Sequence, residues 1–195
     1  SIHFSNISSD IEHILQKNDF LSYFGYPSVF DKHHTTIRFL KLKPTDGKFF
    51  NSYVSNELLG RAELPKMSEG AKNKIAEALY EIFVNAQIHS ESKQIYTCGQ
   101  FYPWKDKIEF TLVDVGIGFR DKVNKRFNSN LNAMQAIQWA VQDKNTTKIG
   151  VSGGIGLALL REFISMNRGK MQIISNDGFY EYSEQGEEMQ LFEGA

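Results

Sequence analysis

The stretch ALYEIFVNAQIHS, residues 78–90, carries Glu81, Asn85 and His89 at every fourth position. Successive residues of an α-helix turn by about 100°, so this row drifts by only about 40° per step. It therefore runs along one border of the apolar stripe formed by Ile75, Leu79, Ile82, Phe83 and Ala86. For any one of the three, a solvated helix edge is the plain alternative. Asn is a weak helix former because its amide competes for backbone groups, so an Asn held mid-helix points to a task for its oxygen. The chemistry on offer is a carboxylate, Glu81, that acts as a base or orients a water. One turn later, Asn85 presents an amide oxygen suited to a hard cation such as Mg²⁺.

Two glycine motifs bring further chemistry. Asp114-Val115-Gly116-Ile117-Gly118 closes a strand pattern. Gly116 and Gly118 allow the backbone to approach a ligand where a Cβ would collide. The Asp114 carboxylate only accepts hydrogen bonds, which suits an exocyclic amino group, and such a charged bond contributes roughly 1.5–3 kcal/mol. A simple strand-ending turn is the competing reading. Ser152-Gly153-Gly154-Ile155-Gly156-Leu157 opens a helix pattern. Unpaired N–H groups and the positive end of the helix dipole at such a place form a phosphate cradle. Neither motif is a G-x-x-x-x-G-K-[ST] loop, and GIGFRD lacks the third glycine of a dinucleotide fingerprint.

The elements that must position these residues can be read around them. Ser68 is suited to cap a helix running to about His89, with Glu69 in its first turn. IYTCGQF (95–101) and KIEFTLVD (107–114) read as strands joined by the turn-like YPWKD. A helix is expected over 131–142, another from the glycine cluster to Gly169, and a strand over 170–176. Asp177-Gly178 is expected as a hairpin turn, with FYEYS beginning the return. This order predicts an α+β fold, a two-layer α/β sandwich with helices on one face of a mixed, largely antiparallel sheet. Residues 1–65 read as a separate layer. Asp10 is expected to cap a short helix with Ile11, Ile14 and Leu15, then a strand covers 35–42, and a helix covers 49–60 with Gly60 as its stop. His33 and His34 are adjacent, so on a strand they point to opposite faces and cannot jointly chelate a metal.

Bulk properties exclude several classes. With 195 residues, 41% hydrophobic and 23% charged, the chain has the make-up of one folded domain with a smaller appendage. A net charge of −1 without a single-sign block gives no nucleic-acid footprint. The one cysteine, Cys98, allows neither an internal disulfide nor a thiolate zinc cluster. No apolar run reaches the roughly 20 residues of a membrane span. No signal-peptide pattern opens the chain, so a cytoplasmic location is expected. The first residue is Ser1, which fits a trimmed sequence.

Taken in order, E-x-x-x-N-A-x-x-H (Glu81 to His89), DVGIG (Asp114 to Gly118) and SGGIGLAL (Ser152 to Leu159) resemble the boxes of the GHKL ATPase superfamily. That superfamily includes gyrase-type ATPases, MutL, histidine kinases and anti-sigma-factor kinases, and the likeness covers roughly residues 66–182. The resemblance implies the Bergerat fold, with ATP and Mg²⁺ as ligands. Asn85 would bind the Mg²⁺ that bridges the phosphates, Asp114 the adenine amino group, and Gly116 and Gly118 would shape the base pocket. Gly153, Gly154, Ile155, Gly156 and Leu157 would hold phosphates through the start of the following helix. Residues 119–152 would form the ATP lid, with Lys148 just before the glycine box as a candidate phosphate contact.

Glu81 narrows the branch, because sensor histidine kinases usually lack a Glu four residues before the Asn. Ile88 stands where they often carry a basic residue, and His13 lacks their flanking Glu-x-x-x-Pro pattern. A compact anti-sigma-type or stand-alone ATP-binding domain is nearest in style. Ser152 replaces a frequent Gly, and Val115 a frequent Asn. Ala195 stands where the superfamily's closing strand has the Thr of a G-T pair, so that strand is expected to be missing. The expected activity is Mg²⁺-dependent ATP hydrolysis or phosphotransfer with Glu81 as base. The alternative is a non-catalytic, nucleotide-switched module that binds an unidentified regulatory protein, and a third reading keeps the fold with a degenerate pocket. A homodimer stays open.

Overall fold

The structure, a computed structural model, describes residues 4–62, 67–89, 91–142 and 156–192, with no side-chain description for His89, Gly156 or Leu159. The chain forms two compact units, Ser1–Met67 with Gln94–Val113, and Ser68–Lys93 with Asp114–Ala195. The 95–114 hairpin thus packs with the N-terminal elements, apart from Asp114 at its end.

In the first unit, helix α1 (Ser9–Lys17) starts one residue after Ser8, whose Oγ accepts the Ile11 N–H. The cap is Ser8, not the expected Asp10. Asp10 instead sits in the first turn, where its charge faces the positive end of the dipole. Strand β1 (Thr36–Leu42) pairs antiparallel with β2 (Ile95–Tyr102), which neighbours β3 (Lys107–Asp114). Between β2 and β3 the chain makes a 3₁₀ turn at Pro103–Lys105, closed by Asp106 at φ 48°. A Cβ on Gly99 would stand 2.5 Å from the Glu109 carbonyl oxygen, so only glycine lets these strands meet there. The helix expected over 49–60 is two pieces, helix α2 (Gly47–Tyr53) and a π turn over Val54–Leu58. The wider turn keeps Phe50, Tyr53, Val54 and Leu58 all buried. Gly60 does mark the exit, since a side chain there would meet the Ser55 carbonyl at 2.7 Å.

The second unit begins with helix α3 (Glu69–His89). Ser68 Oγ accepts the Ala71 N–H at 3.2 Å, which is the expected cap. Two helices follow, α4 (Gly118–Phe127) and α5 (Ala133–Val141). α5 opens with a capping box in which Asn132 and Gln135 exchange side-chain-to-backbone bonds, so it starts two residues later than the expected 131. Helix α6 (Gly156–Met166) leads to β4 (Lys170–Ser175), β5 (Gly178–Ser183) and β6 (Gly186–Leu191), an antiparallel meander. The β4–β5 turn is Asn176-Asp177, not Asp177-Gly178, with Asn176 carrying the positive φ of 55°. Gly178 is instead the first residue of β5, where a Cβ would stand 2.9 Å from the Ala133 backbone. Register puts Ile173, Tyr180 and Met189 on one face of this sheet. The core there gathers Ile137, Val141, Leu157, Met171 and Tyr180, with Ile82, Phe119, Leu160 and Ile164 packed against it.

The architecture is mixed α and β with antiparallel sheets, as expected at the level of class. Among the described residues the strands form two three-stranded sheets, one in each unit, and not a single sheet. The 170–191 meander joins its strands by tight turns, whereas β1 meets β2 only after the chain has passed through α2 and α3. No described helix is long and apolar enough to cross a membrane.

Candidate functional site

The candidate site lies in the second unit, where one core cluster draws three sequence motifs together. Ile82 follows Glu81 on α3, Phe119 follows Gly118, and Leu157 follows Gly156, and all three side chains belong to or pack against that cluster. α3 also lies against α6. Packing of the apolar neighbours therefore anchors all three motifs beside one core.

On α3, Glu81 and Asn85 are both half-buried, one turn apart. Asn85 makes no side-chain hydrogen bond to any other described residue. Its amide atoms are not fully buried, so water reaches them and they stay open to a ligand. The side chain of His89 lies outside the described residues.

At the end of β3, Asp114 is half-buried, and its Oδ1 accepts the Gly116 N–H at 2.8 Å. This Asx turn fixes the carboxylate while Oδ2 keeps its lone pairs for another donor. The Val115 N–H donates to Ser92 Oγ at 3.3 Å, which ties the loop to the chain leaving α3.

Gly118 has φ 75°, and a Cβ on it would stand 2.4 Å from Asn176 Oδ1 and 2.9 Å from Ser175 Oγ. Its neighbour is thus the β4–β5 turn. Ser175 Oγ accepts the Phe119 N–H at 2.9 Å, the Asn176 amide donates to the Ile117 carbonyl at 3.4 Å, and Arg120 pairs with Asp177 at 3.3 Å. Since Ile117 supplies no side-chain cap, Ser175 satisfies one of the orphan N–H groups at the start of α4 from a distant strand. Sequence reading missed Ser92, Ser175, Asn176 and Asp177. A turn was expected one residue later, at Asp177-Gly178, and nothing local shows which loop that turn supports.

The glycine box is described only from Gly156, the first residue of α6. Lys148, Gly153, Gly154 and Ile155 lie outside the described residues. Leu157 is 9% exposed, so its side chain is committed to the core and only its backbone remains for a ligand. Three cations on α4, within the span 119–152 expected as a lid, have partners: Lys122 and Lys125 reach Glu91, just past the end of α3, and Arg120 also pairs with Asp121.

The donor set suits Mg²⁺ only in part. One amide oxygen and one carboxylate from α3 are hard ligands, but no cluster of three His, Cys, Asp or Glu among the described residues could hold a metal alone. This fits a cation that takes most of its coordination from phosphates and water, the usual habit of Mg²⁺ at nucleotide sites. An open cleft of about 390 Å³ is lined by Gln142, Ala158, Arg161, Glu162 and Tyr182.

No family model matches the chain, and no match is found among the curated proteins or the solved structures.

Proposed function

We propose that the second unit is a Bergerat-type, Mg²⁺-dependent ATP-binding domain that hydrolyses ATP or transfers its γ-phosphoryl group, working in the cytoplasm. The observation that carries this reading is the half-buried Asn85, with no side-chain hydrogen bond to another described residue, one turn after Glu81 on a helix packed into the same core as the Asp114–Gly118 loop and the start of α6. Bound Mg²⁺ would supply charge neutralisation at the phosphates. Asn85 would hold the cation through its amide oxygen. Asp114, fixed by the Gly116 N–H, would accept the adenine amino group at Oδ2. Glu81 would take a proton from water or from an acceptor hydroxyl.

Phosphate release or transfer by Glu81→Gln tests the assignment. The substitution keeps the shape of the side chain and removes its basicity, so turnover falls by about 10²-fold or more while ATP affinity is retained. Unchanged turnover contradicts the role of Glu81. ATP binding with no turnover in the unaltered chain favours the non-catalytic module.

A further inference from the structure

Arg161, in the middle of α6, makes three unlike contacts at once. One arm of its guanidinium donates to the Val141 carbonyl at 3.3 Å, the other is bonded to Glu187 on β6, and its central carbon Cζ lies over the Tyr182 ring on β5, 4.7 Å from the ring centre. Its side chain is only 26% exposed. Val141 ends α5, so its carbonyl is among those with no acceptor role left inside the helix. A cation there satisfies it and meets the negative end of the α5 dipole. The ion pair and the ring face then fix the same planar fork from two further sides.

The rest of α6 is held by the apolar contacts of Leu157, Leu160 and Ile164, which attract without setting direction, and by a loose, exposed pairing of Glu162 with Lys74 of α3 at 3.9 Å. Such packing tolerates a small slide or roll of the helix. The three contacts of Arg161 do not, because each demands its own angle. Gly156 lies five residues before Arg161, about 7.5 Å along a rigid helix. Whatever fixes Arg161 fixes where the first N–H groups of α6 point.

We infer that Arg161 is a positioning residue for phosphate binding: it sets the start of α6 against the end of α5 and the β5–β6 hairpin. The inference rests on the nucleotide reading given above. Lysine replaces it only in part, since a point charge over the ring does not fork between a carbonyl and a carboxylate.

The test is calorimetric titration of the full chain with MgATP and, separately, with adenosine, for the unaltered protein, Arg161→Ala, Arg161→Lys and Glu187→Gln. A misplaced phosphate site weakens ATP by about tenfold in Arg161→Ala and leaves adenosine within about twofold, with the lysine variant recovering only part. Glu187→Gln moves the same ratio in the same direction by less. Equal ATP affinity in Arg161→Ala and the unaltered chain overturns the inference, and so does a parallel loss for both ligands, which marks a merely structural brace. If Arg161→Ala does not fold, Glu187→Gln decides, and an unchanged ATP-to-adenosine ratio there overturns it. An unaltered chain that binds adenosine but not MgATP, or neither, overturns the nucleotide reading itself and this inference with it.

Discussion

Asp31 shows how a single carboxylate holds a long irregular stretch in place. Its Oδ2 accepts both the N–H and the hydroxyl of Thr36, each at 2.7 Å, which docks the preceding loop onto the start of β1. Burial works against its charge, but the two Thr36 bonds, the nearby Lys17 and the His33 N–H outweigh it and hold its pKa below the usual value of 3.8. The folded state therefore binds the proton less readily than the unfolded chain. Its contribution is complete above the unfolded value and is lost as pH falls through the lowered folded value. Asp31→Ala is expected to cost about 1.5 kcal/mol at neutral pH, with the two proteins converging in acid. Urea melts at pH 7 and near pH 3 measure this, and a difference that grows on acidification contradicts it. At the same scale, residue type and spacing singled out Glu81, Asn85 and Asp114 as candidates, and the structure places the first two on α3 and the third at the end of β3, on the elements expected. The oxygen that secures the neighbouring loop, Ser175 Oγ, was not legible. Its partner Phe119 is 56 residues away, and a serine at a strand end carries no sign of which N–H it will accept.

The elements divide the same way between local and distant causes. α3 and the β2–β3 hairpin follow from signals within a few residues: the Ser68 cap, the apolar stripe, and alternating strands around YPWKD. α4 has no such signals. Its sequence GFRDKVNKRF buries only Val123, its N-terminus borrows its partner from Ser175, and Lys122 and Lys125 pair with Glu91. Tertiary contact makes this helix, and a reading by resemblance placed it inside a lid. The junction of Gly118 with the β4–β5 turn is where this support is most sensitive. Gly118→Ala adds a Cβ 2.4 Å from Asn176 Oδ1 to a backbone at φ 75°. The left-handed backbone alone costs roughly 1–2 kcal/mol, and displacing Asn176 adds to it. The expected result is a lowered midpoint of unfolding together with weaker ATP binding. A variant as stable as the unaltered chain contradicts the close approach.

At the scale of the whole molecule, the chain builds its first unit, starts the second with α3, returns to the first for the β2–β3 hairpin, and then completes the second. The motifs Glu81–Asn85, Asp114–Gly118 and the start of α6 all belong to the second unit, although the hairpin between them belongs to the first. Composition and element order sufficed for the class of fold, because amphipathic helices and alternating strands are local properties. The split into two three-stranded sheets was not visible, since the choice of strand partners depends on contacts that no single stretch carries. The central claim is that this second unit holds ATP, with Asp114 at the base and Asn85 at the cation. Isothermal titration with ATP, with and without Mg²⁺, on the unaltered chain, Asp114→Ala and Asn85→Ala tests it most directly. The account predicts saturable binding strengthened by Mg²⁺, lost in Asp114→Ala, and deprived of its Mg²⁺ dependence in Asn85→Ala. No binding at millimolar ATP, or binding that both variants keep unchanged, would contradict it.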